Sequence, residues 1–278
     1  MSHSANRRQF LSGSIAAAAA LGTGVAAQIS TSQVSAAPGK GKSQEYYELR
    51  EYTIETADQQ QIVSGYLQHA LLPALGRMGI DRVGVFNQIE QPADQPVSHN
   101  IFVLIPYPTL DALGNRNVAL AADATYQSAA AELFSFPKQD APYKRINSRF
   151  MKAFAGMPVI EMPAQTADRQ PRIFELRTYE SHNEEKADLK VDMFNSGEID
   201  VMRDVKMAPV FFGEMLIGDD VPNLTYMLSA SDMDAHKEHW KGFSAHPEWN
   251  RMKKLPKYAG TVSKITEWFL APTDYSQI

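Results

Sequence analysis

Tyr47-Glu48-Leu49-Arg50-Glu51-Tyr52 returns later in the chain as Phe174-Glu175-Leu176-Arg177-Thr178-Tyr179. The two arginines are 177 − 50 = 127 residues apart. At the same offset Asn87, after Val83-Gly84-Val85-Phe86, falls on Glu214, after Val210-Phe211-Phe212-Gly213. Further on, Asn100-Ile101-Phe102-Val103-Leu104-Ile105 matches Asn223-Leu224-Thr225-Tyr226-Met227-Leu228 at 223 − 100 = 123. The new offset carries Leu110-Asp111-Ala112 onto Met233-Asp234-Ala235 and Leu120 onto Phe243. It also carries Ala122-Asp123-Ala124-Thr125-Tyr126 onto Ala245-His246-Pro247-Glu248-Trp249. One shift of four residues in a loop is what a duplication with a short deletion leaves, and it marks an internal repeat.

Each copy reads the same way. Residues 45–54 alternate in polarity and carry Tyr and Leu, which predicts a strand. Over 58–78, Ile62, Val63, Tyr66, Leu67, Ala70, Leu71, Leu75 and Met78 form one stripe at helical spacing. Two strands follow at 81–90 and 99–107, joined by the turn-rich Gln91-Pro92-Ala93-Asp94-Gln95-Pro96. An alanine-rich helix is expected over 109–134 and a last strand over 143–155. The second copy repeats the series at 171–181, 183–206, 208–218, 223–231, 232–254 and 259–270. The order β-α-β-β-α-β is the ferredoxin-like unit.

The predicted fold is therefore α+β: two tandem ferredoxin-like repeats packed sheet to sheet as a single-chain barrel, since helices cover only one face of each sheet. Strand alternation places Glu175, Arg177 and Tyr179 on one face and Phe174 and Leu176 on the other. The apolar pair is expected to face the helices. The polar trio, with Glu48, Arg50 and Tyr52 of the first copy, is expected to line a partly polar space between the sheets.

The expected organisation is a signal peptide at 1–37, a flexible linker at 38–44, a first repeat at 45–155 and a second at 171–278. Arg7-Arg8-Gln9-Phe10-Leu11 resembles the twin-arginine export signal, with Arg7, Arg8, Phe10 and Leu11 as its signal residues. The following Ile15-Ala16-Ala17-Ala18-Ala19-Ala20-Leu21-Gly22 is too short to span a bilayer. Small-residue cleavage candidates are Val25-Ala26-Ala27 and Val34-Ser35-Ala36. A periplasmic or extracellular location is expected.

The 278 residues are enough for two domains of about 120 residues each. A hydrophobic share of 44% with 21% charged residues is ordinary for a protein with a buried core. The net charge of −5 gives no electrostatic case for nucleic acid or an anionic membrane surface as partner. The absence of cysteine excludes disulfides, thiolate metal sites and a cysteine nucleophile.

Phe174-Glu175-Leu176-Arg177-Thr178-Tyr179, Pro209-Val210-Phe211-Phe212-Gly213-Glu214, Pro222-Asn223-Leu224-Thr225-Tyr226-Met227 and Trp240-Lys241-Gly242-Phe243-Ser244-Ala245-His246-Pro247-Glu248-Trp249 together resemble the NIPSNAP family, of the dimeric α+β barrel superfamily. The resemblance is strong over 171–278 and weaker over 45–155. His246 stands where the family commonly has Asp, and the first copy keeps only Asp123-Ala124-Thr125-Tyr126 at that motif. The resemblance implies a barrel of undefined molecular activity that binds a ligand or a partner. The alternative is a small cavity enzyme of the superfamily, a cofactor-free monooxygenase or a haem-linked oxidoreductase. No cofactor is expected, with haem the alternative. The expected partner is a small anionic or hydrophobic ligand, with a homo-oligomer as a further expectation and no membrane span.

Glu48, Arg50, Tyr52, Glu175, Arg177 and Tyr179 are the ligand-cavity candidates. Arg would grip an anionic group and Tyr would donate to it. The competing reading is that Glu and Arg only satisfy one another, because an unpaired buried charge costs about 3–5 kcal/mol. His236 and His239 are three apart on a helix, and a metal role for them is the lesser reading: Lys237 and Glu238 suggest a solvated face, and no carboxylate completes a ligand spacing. Trp240, Phe243 and Trp249 fall at helical spacing and are expected in the core. Pro247 after His246 is expected to break or restart the helix. No catalytic residue is identifiable.

Overall fold

Alternating large side chains make strands of Tyr46–Thr53 (β1) and Ile173–Glu180 (β5), the two copies of the opening repeat. The computed structural model describes residues 43–90 and 98–278 of the chain. In the first repeat β1 is followed by Ala57–Tyr66 (α1), Leu72–Arg77 (α2), Gly84–Glu90 (β2), Ile101–Tyr107 (β3), Leu110–Ala122 (α3), Ala124–Ser135 (α4) and Arg145–Ala153 (β4). In the second, β5 is followed by Glu184–Met193 (α5), Ile199–Asp204 (α6), Pro209–Ile217 (β6), Asn223–Ala230 (β7), Met233–Ala245 (α7), Pro247–Met252 (α8) and Lys264–Pro272 (β8). The expected signal segment, with Arg7, Arg8, Phe10 and Leu11, lies outside the described residues, as does the linker up to 42. Gln44 is already tied down, its side chain donating to the Ala153 carbonyl at 2.6 Å.

Side-chain oxygens start the helices by accepting orphan backbone N–H groups. Thr56 caps α1, Thr109 caps α3, Asn183 caps α5 and Asp232 caps α7. Each repeat then shows two interruptions at matching offsets. Between α1 and α2, Leu67–Leu71 is a π turn; between α5 and α6 the π turn is Phe194–Glu198, 127 residues later. The local causes differ. Pro73 has no N–H to continue the α ladder, and the Leu72 N–H bonds back to Leu67 instead. In the second repeat Gly197 sits inside the turn at φ 149°, a value that suits glycine. The second interruption falls at Asp123 and His246, each of which ends one helix and caps the next. The single long helices expected over 109–134 and 232–254 are thus each two helices.

The strands close into one barrel in the order β1-β3-β2-β8-β5-β7-β6-β4, with β4 returning to β1. The two four-stranded sheets join edge to edge. Antiparallel β2–β8 pairs Phe86 with Pro272, and β4–β6 pairs Met151 with Met215. Among the described residues, closure leaves no unpaired sheet edge.

The interior corrects the expected facing. Tyr47, Leu49, Phe86, Phe102, Leu104, Met151, Phe174, Leu176, Phe211, Met227 and Leu270 form one apolar cluster drawn from both repeats. The rings of Phe86 and Phe174 meet at 4.8 Å. Phe174 and Leu176 therefore point into the barrel, and Glu48, Arg50, Tyr52, Glu175, Arg177 and Tyr179 point outward beneath the helices. Alternation holds, but the faces are exchanged. Apolar side chains fill the centre of this eight-stranded barrel, and the charged groups find partners on the helices. Polar groups do lie in the space between the sheets, but they are not the expected carboxylates and arginines: Thr178 and Thr225, on the same faces as Leu176 and Met227, share a hydrogen bond of 2.8 Å there.

The helix layers bury two further clusters. In the first repeat Val63, Leu67, Leu71 and Leu75 pack on Val85, Ile101, Val103 and Ile105. In the second, Phe194, Ile199 and Met202 pack on Phe212, Leu224, Tyr226 and Leu228. Burial of each such side chain contributes about 1.5–3 kcal/mol. No helix among the described residues is long and apolar enough to cross a membrane.

Candidate ligand site between sheet and helices

In the first repeat the outward face of β1 carries Glu48 at the bottom of the gap between sheet and helices. Five hydrogen bonds converge on its carboxylate. Arg50 donates through Nε at 2.8 Å and Nη2 at 3.2 Å, Ser148 of β4 at 2.7 Å and Tyr107 of β3 at 2.9 Å. Nη1 of Arg116, from α3, supplies the fifth and also donates to the Tyr107 hydroxyl at 2.9 Å. Burial alone would raise the Glu48 carboxyl; Arg50, Arg116 and Ser148 outweigh it and leave the group below its ordinary range. Burial with the adjacent Glu48 charge pushes the Tyr107 phenol up to about 12.

Above this floor stands a cavity of about 380 Å³, walled by Tyr52, Tyr66, Tyr126, Tyr143 and Phe134, with Asn117 and Arg116 at its side. The tyrosines hold one another. Tyr66 and Tyr126 share a hydroxyl hydrogen bond of 2.9 Å, and Tyr52 meets Tyr143 edge to face at 5.5 Å. Asp123, the cap of α4, accepts from the Tyr126 N–H and from Arg77 at 2.8 Å, which fixes where Tyr126 enters.

The same place in the second repeat is built differently. Glu175 accepts from Arg177 at 3.2 Å, from Nε2 of His236 at 2.9 Å and from the Trp240 indole at 2.8 Å. A carboxylate only accepts, so His236 carries its proton on Nε2. Its Nδ1 is buried with no partner. Trp240 lies flat over Arg177, 4.5 Å from ring centre to guanidinium, and Glu267 reaches the same guanidinium at 3.5 Å. Tyr226 donates to Tyr179 at 2.8 Å. Behind them Lys190 and Glu198 form a buried ion pair of 2.6 Å against the rings of Phe194, Tyr179 and Trp249. Burial raises the Glu198 carboxyl despite Lys190. At the offset of 127, the first repeat has Val63 and Leu71 in place of that pair, both fully buried.

A family model described as NIPSNAP matches residues 174–277. That stretch of the chain is a NIPSNAP domain. No curated protein matches the chain. Among solved structures, a candidate monooxygenase from Fusobacterium nucleatum subsp. nucleatum covers 83% of this chain with 93% of its own, at 8% identity and a TM-score of 0.52. Another, from Lactobacillus acidophilus, covers 82% with 94% of its own, at 9% identity and a TM-score of 0.53. A NIPSNAP family protein of unknown function from Agrobacterium tumefaciens covers 37% with 90% of its own, at 17% identity and a TM-score of 0.34. The first two share the fold of this chain, and at such identity they show nothing finer.

His236 is engaged by Glu175, and the helix turn after it gives His239 no partner carboxylate at hydrogen-bonding distance. Burial and the neighbouring His236 lower the His239 imidazole. Among the described residues no group of three or more His, Asp or Glu side chains is arranged to hold a metal ion. The cavity of the first repeat has no histidine or methionine in its lining.

Of the sequence candidates, Glu48, Arg50 and Tyr52 line this cavity, while Glu175, Arg177 and Tyr179 sit under Trp240 in the NIPSNAP domain. Arg116, Asn117, Tyr66, Tyr126, Tyr143, Tyr107 and Ser148 went unrecognised in the sequence. The repeat register holds the missing signal: at the offset of 123, Asn117 falls on Trp240 and Arg116 on His239. Trp240, expected as core, is half-buried and serves as a donor to Glu175.

Proposed function

We propose that the chain is an exported small-molecule-binding protein whose ligand cavity lies in the first repeat, between sheet and helices, and that this repeat is a diverged copy of the NIPSNAP domain. One observation carries the reading. Where the second repeat places Trp240 over Arg177, the first places Asn117, and the space beside Arg50 is an aromatic-walled cavity of about 380 Å³. That volume is within the range of small-molecule sites, about 300–1,000 Å³, and such sites combine apolar walls with a few fixed polar groups. The arginine pair at Arg7-Arg8 supports export by the twin-arginine route to the periplasm or beyond.

Asn117→Trp tests the reading, since it writes the residue of the second repeat into the first. A thermal-shift screen of small neutral and charged aromatic compounds should raise the Tm of the wild-type protein for some of them. It should raise none for Asn117→Trp, whose own unfolding stays cooperative. Equal responses from both proteins would place binding elsewhere.

A further inference from the structure

Resting on that reading, we infer that the ligand of the first-repeat cavity is a planar aromatic compound with a single carboxylate. Three charged side chains line the cavity: Glu48, Arg50 and Arg116. One negative and two positive charges leave a surplus of one positive. The tyrosines do not cancel it, because burial holds Tyr52 and Tyr66 above their ordinary range and therefore neutral. An unbalanced charge in a partly dry site favours a counter-charge from the ligand. The opposite choice, a cationic ligand, lacks an acceptor, since the Glu48 carboxylate already takes five hydrogen bonds.

Arg116 is positioned for the task. Its Nε donates to Asn117 at 3.2 Å and its Nη1 serves Glu48 and Tyr107. Its Nη2 makes no hydrogen bond to a described residue, and the side chain lines the cavity. The walls select the rest of the ligand. Tyr66, Tyr126 and Phe134 form a triangle of rings with centroids 6.1–6.3 Å apart, and Tyr52 and Tyr143 add a second pair of rings to the lining. Flat rings offer large contact at little loss of side-chain freedom, and an aromatic ligand adds ring-to-ring contacts of about 0.5–1.5 kcal/mol each. The second repeat supplies the contrast. There Arg177 is matched by both Glu175 and Glu267, so no positive surplus remains.

Titration calorimetry of the purified protein with benzoate, benzamide and acetate, at low ionic strength, tests this. Benzoate should bind at least tenfold tighter than benzamide, which keeps the ring without the charge, and tenfold tighter than acetate, which keeps the charge without the ring. Arg116→Gln should remove the preference for benzoate over benzamide; Arg116→Lys should keep most of it. Equal affinity for benzoate and benzamide in the wild type overturns the carboxylate while the cavity reading survives. Equal affinity for benzoate and acetate overturns the aromatic part. If none of the three probes binds, the carboxylate inference falls; the screen on Asn117→Trp then decides the cavity itself by an independent readout.

Discussion

The Trp240 indole lies 4.5 Å over the Arg177 guanidinium and at the same time donates a 2.8 Å hydrogen bond to Glu175. One side chain thus covers the arginine and satisfies the carboxylate that pairs with it. The corresponding residue of the first repeat, Asn117, does neither, and its Oδ1 accepts from Arg116 instead. Glu48 is satisfied there from a different position, by Arg116, and the arginine surplus and the open volume appear together. The two halves run through the same order of elements and solve the same buried-charge problem in two ways, one of which leaves a cavity.

Trp240→Asn should therefore cost stability without abolishing the fold. A fully buried Trp loses about 3–5 kcal/mol on truncation; Trp240 is half-buried, so a loss of about 2 kcal/mol is expected in urea unfolding. An unchanged midpoint would mean that the indole contributes little to the floor of the NIPSNAP domain.

The Lys190–Glu198 pair can be replaced by what the first repeat uses. Exchanging a buried ion pair for apolar residues is often neutral or stabilising by about 1–4 kcal/mol, while removing one partner costs about 3–5 kcal/mol. Lys190→Val with Glu198→Leu should unfold at or above the wild-type midpoint, and Glu198→Leu alone well below it. The pH dependence has a definite sign. Because the folded Glu198 carboxyl is raised, the folded state holds that proton more tightly, and its contribution falls as pH rises from the unfolded value through the folded one. The double variant should lose that fall. A single variant as stable as the double would contradict the buried pairing.

Glu48 carries the opposite sign. Its folded carboxyl is depressed, so its stabilisation is full above the unfolded value and is lost as pH falls through the folded one. Glu48→Gln leaves two arginines around a neutral amide and should cost about 3–5 kcal/mol at pH 7. The gap to wild type should narrow in acid. Urea melts at a series of pH values read both effects, and a gap that stays constant into acid would show that Glu48 is not held as a carboxylate.

Much of this was legible in the sequence, and the failures have physical causes. The two offsets, 127 and 123, pointed to the order of elements in each half, and alternation to the shared face of Glu175, Arg177 and Tyr179. Alternation cannot say which face is the interior. That depends on Arg116, His236 and Trp240, which lie far away on helices and supply the hydrogen bonds that let charge sit beneath them. The break at His246-Pro247 could be read from the proline; its counterpart at Asp123 has no such mark and depends on a cap. The π turns arise from Pro73 in one repeat and Gly197 in the other, so no common motif announces them.

Export is tested apart from the barrel. Changing Arg7 and Arg8 together to Lys should leave uncleaved precursor in the cytoplasm, because the route depends on the arginine pair. Cell fractionation followed by immunoblotting reads the outcome. Normal processing and export of the double variant would remove the twin-arginine assignment and leave the cavity untouched.

The most direct test of the cavity is a crystal structure of the protein grown with the tightest-binding aromatic acid. The account predicts density for the ring among Tyr66, Tyr126 and Tyr143, with its carboxylate at hydrogen-bonding distance of Arg116 Nη2 and Glu48 still ringed by its donors. Density for the acid outside this space, or against Trp240 in the NIPSNAP domain with the first-repeat cavity empty, would contradict it.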